Sequence, residues 1–196
     1  MEKIFNENEI WFITGAQLLY GGDAVIAVDK HSNEMVKGLN DSGILPMNVV
    51  YKGTANSSKE VLEIFKAANN DAKCAGVITW MHTFSPAKMW IHGLQEFRKP
   101  LLHFHTQFNK EIPFDKIDMD FMNLNQSAHG DREFGHITSR MRKPRKDCRT
   151  LAGRKNAEKN RLLDARCRRM ARRAGHAHNT LRRPNEQCGG DGRRQG

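Results

Sequence analysis

The stretch Leu101–Gly135, LLHFHTQFNKEIPFDKIDMDFMNLNQSAHGDREFG, decides the fold. Leu101 to His105 reads as a buried strand and passes directly into polar sequence rich in amides and imidazoles. An open α/β sheet places its ligand at such a transition, beyond the carboxyl ends of its strands. Upstream, Ile10–Thr14 (IWFIT) is uniformly apolar, rich in β-branched and aromatic residues, and stopped by Gly15, the pattern of a central parallel strand covered on both faces. Met47–Tyr51 (MNVVY) and Ala75–Trp80 (AGVITW) are two further strands.

Helical patterns separate them. Val25, Val28, Ser32, Met35/Val36 and Leu39 recur at helical spacing, with Gly43 after the end. Ser57-x-x-Glu60 is a capping box ahead of the stripe Val61, Leu62, Phe65 and Ala68. Ser85-Pro86 supplies an N-cap and a first-turn proline for a helix reaching about Lys99, where Pro100 forbids continuation. Helical residues return near Met119–Asn125 and Glu133–Met141. Strand and helix in alternation predict an open parallel, flavodoxin- or Rossmann-like α/β sheet with flanking helices and right-handed crossovers.

Charge divides the chain. Its 196 residues carry a net +10, yet Met1 to Arg142 holds 15 Lys and Arg against 17 Asp and Glu, while Lys143 to Gly196 holds 17 against 5. The first 142 residues therefore read as one near-neutral globular domain. The segment 143–196 lacks Ile, Val, Phe, Trp and Tyr, so it cannot bury enough surface to offset its ordering entropy and is expected to be a disordered Arg-rich tail. Its Cys148, Cys167, His176, His178 and Cys188 match no zinc spacing. Its arginines suit non-specific phosphate contacts, but nucleic acid is not the expected partner. A lone Cys74 in the globular part and an acidic N-terminus without an apolar core segment predict a cytoplasmic protein, and no apolar run is long enough to span a bilayer.

The loops after the strands share one edge of a parallel sheet. Gln17, Tyr20, His82, Phe84 and Gln107 can therefore converge on a small molecule, and amides with an aromatic wall suit a sugar; the alternative is that they tie down loops. No G-x-G-x-x-G or P-loop is present, which disfavours a nucleotide. His103-x-His105 has a metal-compatible spacing but no third ligand, and such pairs are commonly structural. Asp118-x-Asp120 reads as solvated loop carboxylates, whereas Gln126 and His129 are better placed for a ligand.

On the segments EIWF (from Glu9), GAQLLYG (from Gly15), WMHTFSPAKMW (from Trp80), PLLHFHTQFN (from Pro100) and DMDFMNLNQSAHGDREFG (from Asp118), the chain from about Glu9 to Arg142 resembles the N-terminal domain of the bacterial L-arabinose isomerases. The family pattern GSQHLYG differs at Ala16 and Leu18. The resemblance implies aldose–ketose isomerisation between L-arabinose and L-ribulose, usually with Mn²⁺, in a homohexamer whose N-terminal domain closes a neighbour's pocket. It implies substrate-binding roles for Gln17, Leu18, Phe84, Gln126 and His129, with Tyr20 beside them. The metal ligands and catalytic residues of the family have no counterpart, so the chain alone is expected to be inactive. A stand-alone sugar-binding module is the other reading. The resemblance also suggests a reason for the basic tail. Shifted by one nucleotide, the codons of Arg149–Arg154 can read GHWQE, close to the family's GHWQ, and two later segments behave likewise; a frame change between about Lys143 and Arg149 is the expectation. The sheet would then lack family elements and expose an edge and apolar surface.

Overall fold

The computed structural model describes residues 7–149 except 44 and 110; the side chains of residues 20 and 146–149 and everything from residue 150 onward lie outside the described part. Most of the segment expected to be disordered, including its cysteine and histidine pattern, therefore falls outside it.

Five strands form one parallel sheet: β1 (Glu9–Gly15), β2 (Asn48–Ala55), β3 (Cys74–Met81), β4 (Leu101–His105) and β5 (Lys146–Arg149), in the order β2-β1-β3-β4-β5. The α/β expectation is met, and the order is that of the flavodoxin-like folds. The chain leaves β1 toward β2 and later returns past β1 to β3, so the order reverses between β1 and β3.

Each strand follows from its residues. In β3 every residue is buried, and in β1 all but Glu9 are. Such strands need a cover on each face. On one face Ile10, Phe12, Trp80, Leu102 and Phe104 pack under α1 (Gly22–Asp41), which contributes Val36 and Leu39. On the other, Trp11, Ile13 and Val77 meet Val61 and Phe65 of α2 (Ser58–Asn70), Leu94 of α3 (Ile91–Glu96) and Phe134 of α5 (Ser127–Arg140). Full burial of side chains such as Phe65, Trp90 and Phe134 stabilises the fold by roughly 1.5–3 kcal/mol each. Cys74 opens β3, fully covered, with its thiol toward the Gly76 carbonyl (3.5 Å); burial pushes the thiol up to about 11. No described helix is long and apolar enough to cross a membrane.

Several local expectations need correction. The Ser57 hydroxyl accepts from the Glu60 N–H (3.3 Å), but Glu60 accepts from the N–H of Asn56 (2.7 Å), so the capping box closes one residue early. Ser85 caps nothing: its hydroxyl is buried and accepts from the Trp90 indole (3.1 Å), while Ala87–Trp90 forms a 3-10 turn and α3 stops at Glu96. The last helix begins at Ser127, ahead of Glu133. Asp118 is no free loop carboxylate; it caps α4 (Met119–Leu124) by accepting from the Phe121 N–H (2.7 Å).

The predicted boundary at Arg142 also moves. Lys143 donates its N–H to the Thr138 carbonyl (2.9 Å) and its ammonium to the Phe97 carbonyl, Arg145 bonds Ser139 (3.0 Å), and β5 pairs with β4 from Leu102↔Lys146 to His105↔Arg149. Order reaches Arg149 because β4 would otherwise leave its backbone N–H and C=O groups without partners. Exposed large apolar side chains do occur among the described residues: Leu18, Leu19, Ile112 and Phe114 on turns and loops, Ile26 on α1, and Met119 and Met122 on α4.

Candidate functional site at the carboxyl edge of the sheet

The reversal of strand order puts the carboxyl ends of β1 and β3 side by side, with Gly15 opposite Met81. Gly15 is there for space. A Cβ would sit 2.6 Å from the Ser85 hydroxyl and 2.8 Å from the Trp90 ring, so only glycine lets the loop after β3 lie against the end of β1. Beyond it, Ala16 is buried with its N–H on the Ala55 carbonyl (3.1 Å), and the chain then turns outward. Gln17 is half-buried, Leu18 is 67% exposed, and Leu18–Tyr20 forms a 3-10 turn closed by the Gly21 N–H on the Leu18 carbonyl (3.0 Å). The side chain of Tyr20 lies outside the described part.

On the α5 face, the first turn of α5 seats on the same loop. Ser127 donates its hydroxyl to the His82 carbonyl (3.1 Å), and a Cβ on Gly130 would meet the Thr83 carbonyl oxygen at 2.8 Å. This close approach brings the His129 ring to Phe84, centroids 4.7 Å apart and tilted by 46°. Gln126 lies one turn before, its carbonyl accepting from the His129 N–H (3.1 Å) and its amide donating to Asn123 (3.4 Å). Phe84, Gln126 and His129 are thus gathered at one spot. Gln17 and Leu18 stand on the adjoining loop, and no hydrogen bond or ring contact joins the two sets among the described residues.

Asp131 locks this arrangement from beneath. It is buried, its Oδ1 lies 2.7 Å from His103 Nε2, and its Oδ2 lies 3.6 Å from His105 Nε2. Burial raises the Asp131 carboxyl above the usual carboxylate range, with His103 acting in the opposite sense. The two imidazoles do share one strand face, nearly parallel at 5.7 Å. They are engaged with Asp131, which favours the structural reading of His103-x-His105. Among the described residues, no three His, Cys, Asp or Glu side chains are placed to hold a metal ion. The described part therefore does not fit the Mn²⁺ that the resemblance implies.

The α1 face holds a second cluster. His82 Nε2 is 2.7 Å from His31 Nδ1, and His82 is wholly buried, stacked on Trp80 (4.4 Å, 11°). His31 stacks in turn on Phe108 (3.8 Å, 13°). Burial pushes His82 down to about 3 and lowers His31, so both rings are neutral near pH 7. His82 was legible as a loop-edge residue but serves from inside. His31 was missed, because helical spacing marks Ser32 beside it as the core position and leaves His31 without a signal. Gln107 is exposed on the loop after β4, with no hydrogen bond or ring contact to this cluster among the described residues.

Comparison with known proteins bears on what this edge is for. A family model of the L-arabinose isomerase N-terminal domain matches residues 4–174, beginning before Glu9 and continuing past Arg142. The chain is 81% identical over 146 residues to the L-arabinose isomerase of Phocaeicola vulgatus and 80% identical over 146 residues to that of Bacteroides thetaiotaomicron, in each case 74% of this chain and 29% of the relative. Against the L-arabinose isomerase of Thermotoga maritima it is 59% identical over 138 residues, 70% of this chain and 28% of the other. The chain thus spans under a third of the length of the curated relatives it matches. With the family model covering most of the sequence, the chain belongs to the L-arabinose isomerase N-terminal domain family.

Proposed function

We propose that the carboxyl edge of this sheet is one wall of a sugar pocket serving the interconversion of L-arabinose and L-ribulose. The single observation that carries this reading is the 81% identity over 146 residues to a named L-arabinose isomerase. Geometry supports it. Gln17 and Gln126 offer amides that both donate to and accept from hydroxyls, while the tilted Phe84–His129 pair offers ring surface to the C–H side of a sugar. Leu18 adds apolar surface where the family pattern has a histidine, so this wall makes one hydrogen bond fewer there.

The residues of this wall bind and orient substrate and keep water from one side of it; they include no paired acid and base for moving protons between C1 and C2. The metal chemistry belongs to ligands elsewhere in a longer polypeptide or a neighbouring subunit of a homo-oligomer, and Mn²⁺ is the cation expected there. The chain by itself then binds sugar without turning it over. Titration of the purified chain with L-arabitol, followed by amide NMR, should shift Phe84, Gln126 and His129, while an isomerase assay of the same sample stays at background. Turnover by the isolated chain would contradict the division of labour. Shifts absent at every concentration would remove the sugar wall itself.

A further inference from the structure

We propose that His31 is an additional sugar-binding residue of this edge, accepting a hydroxyl proton at Nε2, and that buried His82 is the positioning residue that makes Nε2 an acceptor. The proposal rests on the sugar-wall reading and extends the wall across the sheet from the α5 face to the α1 face.

Three observations carry it. The first is placement: His82 directly follows β3 and Phe108 closely follows β4, so a ring touching both stands at the carboxyl edge although it comes from the middle of α1. The second is fixation. His31 is held edge-on by the 2.7 Å bond and face-on by Phe108 at 3.8 Å, which leaves Nε2 as its outward atom; no described residue bonds it, and it is not among the buried atoms lacking partners.

The third is tautomer coupling. Two neutral imidazoles joined by one N–H···N bond have only two arrangements. Either His82 carries its proton on Nδ1 and His31 on Nδ1, leaving His31 Nε2 bare, or both shift to Nε2. His82 Nδ1 is buried with no hydrogen-bond partner, and the residue's own carbonyl acts on the ring in the sense that favours a protonated nitrogen. A carbonyl oxygen favours an N–H over a lone pair, and we therefore assign the proton to Nδ1, the first of the two arrangements. His31 Nε2 is then a fixed acceptor, complementing the amides of Gln17 and Gln126. Glu34 and Lys30 on α1 act on His31 with opposite signs, and among the described residues His82 is its other ionisable neighbour.

Imidazole ¹⁵N NMR of the full chain tests the coupling directly: bare Nε2 and protonated Nδ1 are expected for both rings at pH 7.5, and the reverse tautomer would overturn the proposal. L-arabitol titration tests the role. His31→Phe should weaken binding about fivefold to tenfold, the value of one hydrogen bond. Wild-type affinity should fall in acid as the His31 lone pair is protonated, and His31→Gln should lose that part of the pH dependence. If the wild type binds L-arabitol and both variants bind as tightly, His31 is not a contact, and the wall without it stands. A wild type that gives no shifts at Phe84 or His129 loses both the wall and this residue.

Discussion

Two buried histidines, His103 and His82, are each paired near this edge of the sheet, one on each face, and the pairs are stabilised in opposite ways. On the α5 face His103 meets the Asp131 carboxyl at 2.7 Å; on the α1 face His82 meets only another imidazole, also at 2.7 Å. A carboxylate partner can compensate charge on the ring, so the first pair can carry opposite charges and clamps α5 to β4. Two imidazoles cannot compensate each other, so the second pair is stable only while buried His82 is neutral. Identical distances therefore hide a clamp and a hydrogen-bonding relay.

The largest test of that contrast is Asp131→Ala. It leaves His103 buried without its acceptor and should cost about 3–5 kcal/mol in urea unfolding, the scale for breaking one side of a buried pair. A loss below 1 kcal/mol would show that the two pairs do not differ in kind. Acid comes next. The folded value of His82, about 3, lies far below the unfolded 6.5. The unfolded chain therefore takes up a proton first, and this stability is complete above pH 6.5 and lost as pH falls toward 3, by up to ~1.4 kcal/mol per unit. Asp131 works the other way: its raised value means the folded chain holds its proton to higher pH than the unfolded chain, so its contribution is complete in acid and is lost as pH rises through the folded value. Comparing acid titrations of wild type, His82→Phe and Asp131→Asn by circular dichroism should give a shallower acid loss for the first variant and a steeper one for the second.

At pH 7.5, His82→Phe keeps the stack on Trp80 and should cost only ~1 kcal/mol, for one lost hydrogen bond. The smallest effect belongs to His129→Ala. The ring is largely exposed and its pairing with Glu133 is loose at 3.7 Å, so stability should change by less than about 0.5 kcal/mol. Sugar-induced shifts at Phe84 should nevertheless weaken. A stability loss above 1 kcal/mol at His129 would mean that the site is part of the clamp.

Much of the scaffold was legible because it obeys local rules. Ile10–Thr14 and Leu101–His105 declare themselves by composition, and Val28, Ser32, Val36 and Leu39 by spacing. What stayed hidden was set by distant neighbours. β2 runs on through Lys52, Gly53 and Thr54 because β1 offers backbone partners there, with a register shift between Phe12 and Thr14 absorbing the misfit. Lys146–Arg149 has no strand pattern, and its order comes from the β4 edge. Ser85-Pro86 carries a helix-start signature that the Trp90 indole overrides. Phe84 was legible as a loop-edge residue and Gln126 and His129 as ligand candidates, with family resemblance joining them, but their meeting depends on Gly130 lying against Thr83, which no local pattern announces. His31 was invisible for the same reason: its importance comes from a partner 51 positions away.

Cys74 offers a different kind of use. Enclosed at the head of β3 and about 11 in pKa, its sulfur is almost never a thiolate near neutrality, and alkylating reagents reach it only when the strand opens. The rate at which a peptide containing this residue gains an alkyl adduct, read by mass spectrometry, is accordingly a clock for β3 alone. It runs without any sugar, and it separates opening of the central sheet from fraying at the β5 edge.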